Sequence, residues 1–209
     1  MSPFDLIKQL KQLYAPSPRH PAIVEVPELL FLMIDGRGDP HASEAYQEAL
    51  AALYGIAYTL KFMLKKVDPE RDFKVAPLEG LWWADTEAPS IDELKAHRDS
   101  WNWTMMIAVP DEVTAAEVAT AAAAAARRRP LPAAGRVRLE RVAEGLAAQI
   151  MHIGPYADEA PTIELLHAFV AEQGYEVRGR HHEIYLGDPR RTAPERLKTV
   201  IRHPVSPRR

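Results

Sequence analysis

The chain has 209 residues, a net charge of −3 and no cysteine. That length suits one full-sized domain or two small ones sharing a core, and the missing thiols exclude disulfides, zinc thiolate sites, iron–sulfur clusters and cysteine nucleophiles together. A reducing, cytoplasmic setting fits, and the balance of charge gives no reason to expect a nucleic-acid partner.

In chain order, Met1–Asp5 lacks the basic and apolar regions of a secretory signal. Phe4, Ile7, Leu10 and Leu13/Tyr14 recur at helical spacing, which predicts a short amphipathic helix. Pro16, Pro18 and Pro21 break it. Strands are expected at Ile23–Val26 and Leu29–Asp35, closed by the turn Gly36-Arg37-Gly38-Asp39-Pro40. Ser43 can cap a helix running to about Lys66. Two strands follow, Phe73–Ala84 and Trp101–Val109, joined by a loop with a helical turn near residues 91–97. The alanine-rich run Thr114–Arg129 reads only as helix, ended by Pro130. Within it, Ala119–Ala126 is the nearest approach to a membrane span, yet it falls well short of the roughly 20 apolar residues required, so no membrane partner is expected. The terminal arginines of the run suit a solvated helix end. Strands Arg136–Arg141 and Leu146–Ile153 come next, then a turn at Gly154-Pro155-Tyr156. A helix starts at Asp158 or Thr162 and ends at Gly174. Strands His181–Leu186 and Leu197–His203 complete the order.

Each half reads strand, glycine turn, helix, strand, strand, over roughly 23–109 and 136–203. The repeat is of pattern more than of letters. It gives an α+β chain divided as 1–22 (helix and proline-rich linker), 23–112 (first βαββ half), 113–135 (connecting helix) and 136–209 (second βαββ half). A duplicated βαββ unit covers one sheet face with helices and leaves the other concave, where a ligand would sit.

The segments Leu78-Glu79-Gly80-Leu81-Trp82-Trp83, Glu144 to Tyr156 and His181-His182-Glu183-Ile184-Tyr185-Leu186-Gly187-Asp188-Pro189 resemble those of stand-alone GyrI-like small-molecule-binding proteins. Leu13-Tyr14-Ala15-Pro16, Asp35 to Pro40, Tyr58-Thr59-Leu60-Lys61 and Leu197 to Arg202 support the likeness, in order and over nearly the whole chain. The resemblance implies an SHS2-type fold: two βαββ modules related by a pseudo-twofold axis, with an antiparallel sheet and a central ligand cleft. Relatives bind drugs and toxins. One branch is similar to hydrolases that open the cyclopropane of spirocyclopropyl DNA-alkylating compounds.

All four tryptophans, Trp82, Trp83, Trp101 and Trp103, fall on two predicted strands, so two or three indoles could line one wall for a planar ligand. Ordinary core packing is the alternative. Glu183 alternates with His181 and Tyr185 on one strand face. A carboxylate in mid-strand is poorly solvated, and suits a general base on water or the counter-charge of a cationic ligand; a structural hydrogen bond is the other reading. In relatives carrying this glutamate it points into the cleft, a role the resemblance extends to Glu183. Tyr185, Tyr156 and Tyr58 are candidate donors, with Tyr185 beside the carboxylate. His152 and His182 are weaker ligand contacts. His181 and His182 point to opposite faces and make a poor chelate, so no metal is expected. With no Gly-x-Ser-x-Gly elbow, phosphate loop or Rossmann fingerprint, no cofactor is expected either. The anticipated partner is a planar hydrophobic or cationic small molecule, bound by a monomer or homodimer. Two functions remain: a cofactor-independent hydrolase, or a module that sequesters or senses its ligand.

Overall fold

A computed structural model describes residues 3–40, 42–85 and 100–208. The strands are antiparallel, with helices packed on them, in an α+β arrangement. The helical turn expected near residues 91–97 lies outside the described residues. No described helix is long and apolar enough to cross a membrane.

The chain forms two compact units that interleave along the sequence. The first comprises Met1–Gln9, Leu29–Ala76 and Trp83–Val142. It holds β2 (Leu29–Arg37) at the centre, paired with β4 (Asn102–Val109) and β5 (Arg138–Val142). The long helix α3 (Glu44–Val67) packs on β2 and β4 and against α4 (Ala115–Arg128). Both helices start where their residues dictate. The Ser43 side chain accepts from the Tyr46 backbone, and Thr114 with Glu117 forms a reciprocal capping box. On α3, Ala49, Ala52, Leu53, Ile56, Ala57, Leu60 and Leu64 are buried at helical spacing, which makes the inner face of this unit.

Within that core Gly36 lies directly across from Trp103. A β-carbon at Gly36 would meet the indole at 2.1 Å. Gly36→Ala should therefore force the ring out of place and lower stability by about 2 kcal/mol, the usual range for overpacking a close-packed interior. The midpoint of chemical denaturation checks this.

The second unit comprises Leu10–Glu28, Pro77–Trp82 and Ala143–Arg209. Its strands run in the order β1 (Ala22–Val26), β6 (Gly145–Ile153), β9 (Lys198–Pro207), β8 (His181–Tyr185) and β3 (Leu78–Trp83). A short strand β7 (Tyr175–Val177) pairs with the far end of β9. Helix α5 (Ala160–Glu172) packs on one face through Leu166 and Val170, which join Ala148, Ile150, Ile201 and Val205 in an apolar cluster. Gly174 ends this helix region with φ 78°, a left-handed conformation that glycine adopts without steric cost.

Three expectations differ from what is found. The helix expected over Phe4–Tyr14 is instead two single turns, α1 (Leu6–Gln9) and α2 (Lys11–Tyr14). Phe4 leaves the helix to exchange backbone hydrogen bonds with Asp72 and Lys74, and so short a helix has little stability of its own. The strand expected from Phe73 begins only at Leu78, because Pro77 has no N–H to offer a ladder. Strand β9 runs past His203 because β7, which has no clear sequence signal, pairs with its last three residues.

Candidate functional site

Alternation along β8 separates two sets of polar residues within the second unit. His182 pairs with Arg202 in the register, and Glu183 with Ile201. Ile201 belongs to the cluster under α5, so Glu183, His181 and Tyr185 share the helix-bearing face, while His182 and Arg202 face the other way.

On the helix-bearing face, Glu183 is the centre. Its Oε1 lies 2.9 Å from His181 Nε2, and its Oε2 accepts from the Tyr185 hydroxyl at 2.7 Å. Tyr185 in turn accepts from Trp82 Nε1 at 2.9 Å, and the Tyr156 ring stands edge-on to it at 5.6 Å. Gly80 is the cross-strand neighbour of Glu183, so that position adds no side chain above the carboxylate. Glu159, only 5 % exposed at the N-terminus of α5, also hydrogen-bonds Glu183. Burial pushes the Glu183 pKa up, but the hydrogen bonds from His181, Tyr185 and Glu159, with the charge of His181 whenever that ring is protonated, bring it below the ordinary value. The result is a desolvated carboxylate that stays ionised, beside an indole and a phenol.

Tyr185→Phe removes one of these donors and leaves the ring. It should raise the Glu183 titration, since a lost hydrogen bond to the charged form disfavours ionisation. The carboxyl-carbon resonance of Glu183 followed against pH reads this directly, and an unchanged midpoint would count against the assigned hydrogen bond.

The opposite face of this unit is not open. Leu13 and Tyr14 of α2 are 0 % and 2 % exposed against it. Arg202 donates to the Leu13 carbonyl at 2.8 Å and Gln149 to the Gln12 carbonyl at 2.7 Å. Beneath them lies a buried ionic network. His182 Nδ1 is 3.0 Å from Glu144, its Nε2 is 2.9 Å from Glu79, Arg202 donates to Glu144 at 3.1 Å, and Tyr14 donates to Glu79 at 2.9 Å. With both ring nitrogens on carboxylates, His182 is an imidazolium: the attraction of Glu144 and Glu79 outweighs burial and raises its pKa to about 9. Burial raises the Glu144 carboxyl, yet His182 and Arg202 overcome it and hold the group at about 2.

The remaining residues singled out in the sequence are placed as follows. His152 is buried, with Nε2 3.2 Å from the Pro155 carbonyl and Nδ1 2.9 Å from the Thr162 hydroxyl, so it ties the turn to α5. Trp83, Trp101, Trp103 and Tyr58 belong to the first unit. Trp103 is fully buried, edge-on to Tyr46 at 5.2 Å. Trp83 and Trp101 are half-buried, and Tyr58 is 49 % exposed on α3 with its ring stacked on Tyr54. Of the residues singled out, then, the second unit brings Glu183, Tyr185, Trp82 and Tyr156 together and sends His182 to the opposite face. Sequence reasoning left out Glu159 and His203. His181 was legible as a face-mate of Glu183, two residues away, but Glu159 and His203 reach the site only through register and helix docking. Among the described residues, no group of three or more His, Asp or Glu is placed to hold a metal ion.

Residues 19–206 match the GyrI-like small molecule binding domain. A crystal structure of an uncharacterized conserved protein from Listeria innocua is 41 % identical, with a TM-score of 0.88, covering 97 % of this chain and 100 % of that one. A crystal structure described as a hydrolase from Listeria innocua is 40 % identical over 97 % of this chain and 100 % of its own, with a TM-score of 0.84. The C-terminal domain of EcmrR, at 15 % identity and a TM-score of 0.55 over 90 % of this chain and 98 % of its own, shares the fold. No protein of curated function matches the sequence significantly.

Proposed function

The chain belongs to the GyrI-like small molecule binding domain family, and from that premise we propose that it is a cofactor-independent hydrolase acting on spirocyclopropyl alkylating compounds. The observation that carries this reading is Glu183: a desolvated, ionised carboxylate held by His181 and Tyr185 next to Trp82. The hydrolase from Listeria innocua at 40 % identity supports the reaction class. The resemblance of the three glycine-containing motifs to stand-alone GyrI-like proteins, one branch of which is similar to ring-opening hydrolases, supports the substrate.

In this mechanism the flat dienone lies against aromatic surface, and Glu183 orients a water molecule and takes its proton. The water oxygen bonds to the cyclopropane carbon. The strained C–C bond breaks, and its electron pair ends on the former carbonyl oxygen as a phenolate. Protonation of that phenolate releases a phenol and restores the carboxylate, so the product is the substrate plus one water. Relief of ring strain and aromatisation supply the driving force.

The test is mass spectrometry of such a compound incubated with wild-type protein and with Glu183→Gln. A catalytic gain of one water, lost in the variant, supports the hydrolase; unchanged compound with wild type overturns it. A second reading, capture without turnover, draws on the same carboxylate being held charged, which suits a flat cation stacked on an aromatic ring. Under it, Glu183→Gln weakens binding of rhodamine 6G and leaves a neutral dye of similar shape unaffected.

A further inference from the structure

Three histidines converge behind Glu183. His181 Nδ1 is 2.9 Å from His203 Nε2, and His203 Nε2 is 3.4 Å from His167 Nε2 on α5. The His203 ring lies 4.8 Å from the His181 ring and 4.9 Å from that of His167. His203 is 6 % exposed, and its Nδ1 is buried with no hydrogen-bond partner among the described residues. Nothing on this ring touches Glu183, yet its chemistry is constrained on both nitrogens.

We propose that His203 is a positioning residue that fixes the tautomer of His181, so that His181 presents its only N–H to Glu183. This rests on Glu183 being the base of the site. The reasoning starts from the orphaned Nδ1. A neutral imidazole carries one hydrogen, and a buried N–H without an acceptor is rarer and costlier than an unused lone pair. The hydrogen of His203 therefore sits on Nε2. Burial, reinforced by His181, His167 and His182 when they are charged, keeps the His203 pKa well below that of an ordinary histidine, so the ring stays neutral.

The nearer acceptor for that Nε2–H is His181 Nδ1 at 2.9 Å; His167 at 3.4 Å is a longer contact. With Nδ1 occupied as an acceptor, the hydrogen of a neutral His181 must be on Nε2, which points at Glu183 Oε1 at 2.9 Å. The other tautomer would set a lone pair against the carboxylate. The charged and titratable groups that act on this chain include Glu183, His181 and Tyr185 on β8, His203 on β9, His167 on α5 with Glu159 at its N-cap, and His182 on the opposite face of β8. A carboxylate facing a neutral donor remains a better base than one neutralised by an imidazolium. His203 thus tunes Glu183 through a ring it orients.

Ring-nitrogen NMR of the full-length ¹⁵N-labelled protein at pH 7 tests this without requiring turnover. The expected wild-type pattern is His181 with Nε2 protonated and Nδ1 bare, and His203 protonated on Nε2. His203→Phe keeps the volume and removes the donor, and should turn the single His181 pattern into a tautomer mixture or an imidazolium. His203→Gln, whose amide nitrogen can donate, should restore it. A wild-type His181 that is an imidazolium or carries its hydrogen on Nδ1 overturns the proposal, as does a single unchanged tautomer in folded His203→Phe. If that variant does not fold, the wild-type and His203→Gln spectra decide. In the ring-opening assay His203→Phe should lower kcat about tenfold with little change in KM, the pattern of lost transition-state help. Failure of the wild type to add water would overturn the hydrolase reading, while the spectra would still decide the role of His203.

Discussion

Glu183→Gln is expected to keep a flat neutral ligand bound and to slow water addition by about 10²–10⁴-fold, the usual contribution of a positioned general base. The substitution is nearly isosteric. The amide oxygen can still accept from His181 or Tyr185, so the site should keep its shape. What disappears is a group able to take a proton from water. A merely structural carboxylate predicts something different: loss of stability with turnover per folded molecule preserved. Measuring kcat together with the denaturation midpoint separates the two, and wild-type kcat in the variant would remove Glu183 from the chemistry. The loss should be smaller for Tyr185→Phe, which weakens the hold on the carboxylate but leaves the base in place.

The second large effect belongs to the network on the far side of β8. Its carboxylates, Glu79 and Glu144, balance the imidazolium of His182 and the guanidinium of Arg202, all nearly inaccessible to water. Removing one member strands a charge in a poor solvent. Glu144→Gln should therefore cost about 3–5 kcal/mol, the range for breaking a buried ion pair from one side. The same change should lower the His182 titration from about 9. Urea unfolding at pH 6 and the His182 ring resonances check the two parts, and a variant as stable as wild type would show that the network contributes no net stability.

The pH dependence follows from the same groups. His182 has a folded pKa raised from 6.5 to about 9, so the stability it contributes is fully present below pH 6.5 and is lost as pH rises through 9. Glu144 has a folded pKa lowered from 4.5 to about 2, so its contribution is present above pH 4.5 and is lost as pH falls through 2. Stability from the network should therefore peak between about pH 4.5 and 6.5 and decline by about 3 kcal/mol across the alkaline window. The two shifts describe one interaction seen from its two partners, so they do not add. His182→Gln, lacking the titrating ring, should flatten the alkaline decline.

Much of this protein could be read from its residues alone because local rules govern helices and alternation. Ser43 marks a helix start in the sequence and caps that helix in the structure. The period of two along His181–Tyr185 already places His182 opposite Glu183, and that separation holds. The motifs around Gly80, Gly154 and Gly187 point to the family, which the match over residues 19–206 bears out. What the alternation could not say is which face is which. The face of the second unit opposite α5 is covered by Leu13 and Tyr14 of α2, and it carries an ionic network where an open, ligand-bearing surface was expected.

That assignment depends on long-range pairing. Glu144 meets His182 across 38 residues and Arg202 across 58, and Tyr14 meets Glu79 across 65. His203 reaches His181 because β8 and β9 pair in one particular register; a slip by one residue would send it to the other face. A single sequence encodes the period of each strand but not its register with partners elsewhere in the chain. The sequence by itself therefore determined most of the elements and the family, and it singled out Glu183 as a candidate. Only the tertiary structure decided which polar groups surround that carboxylate, because register and burial together select the few contacts that many spacings would allow.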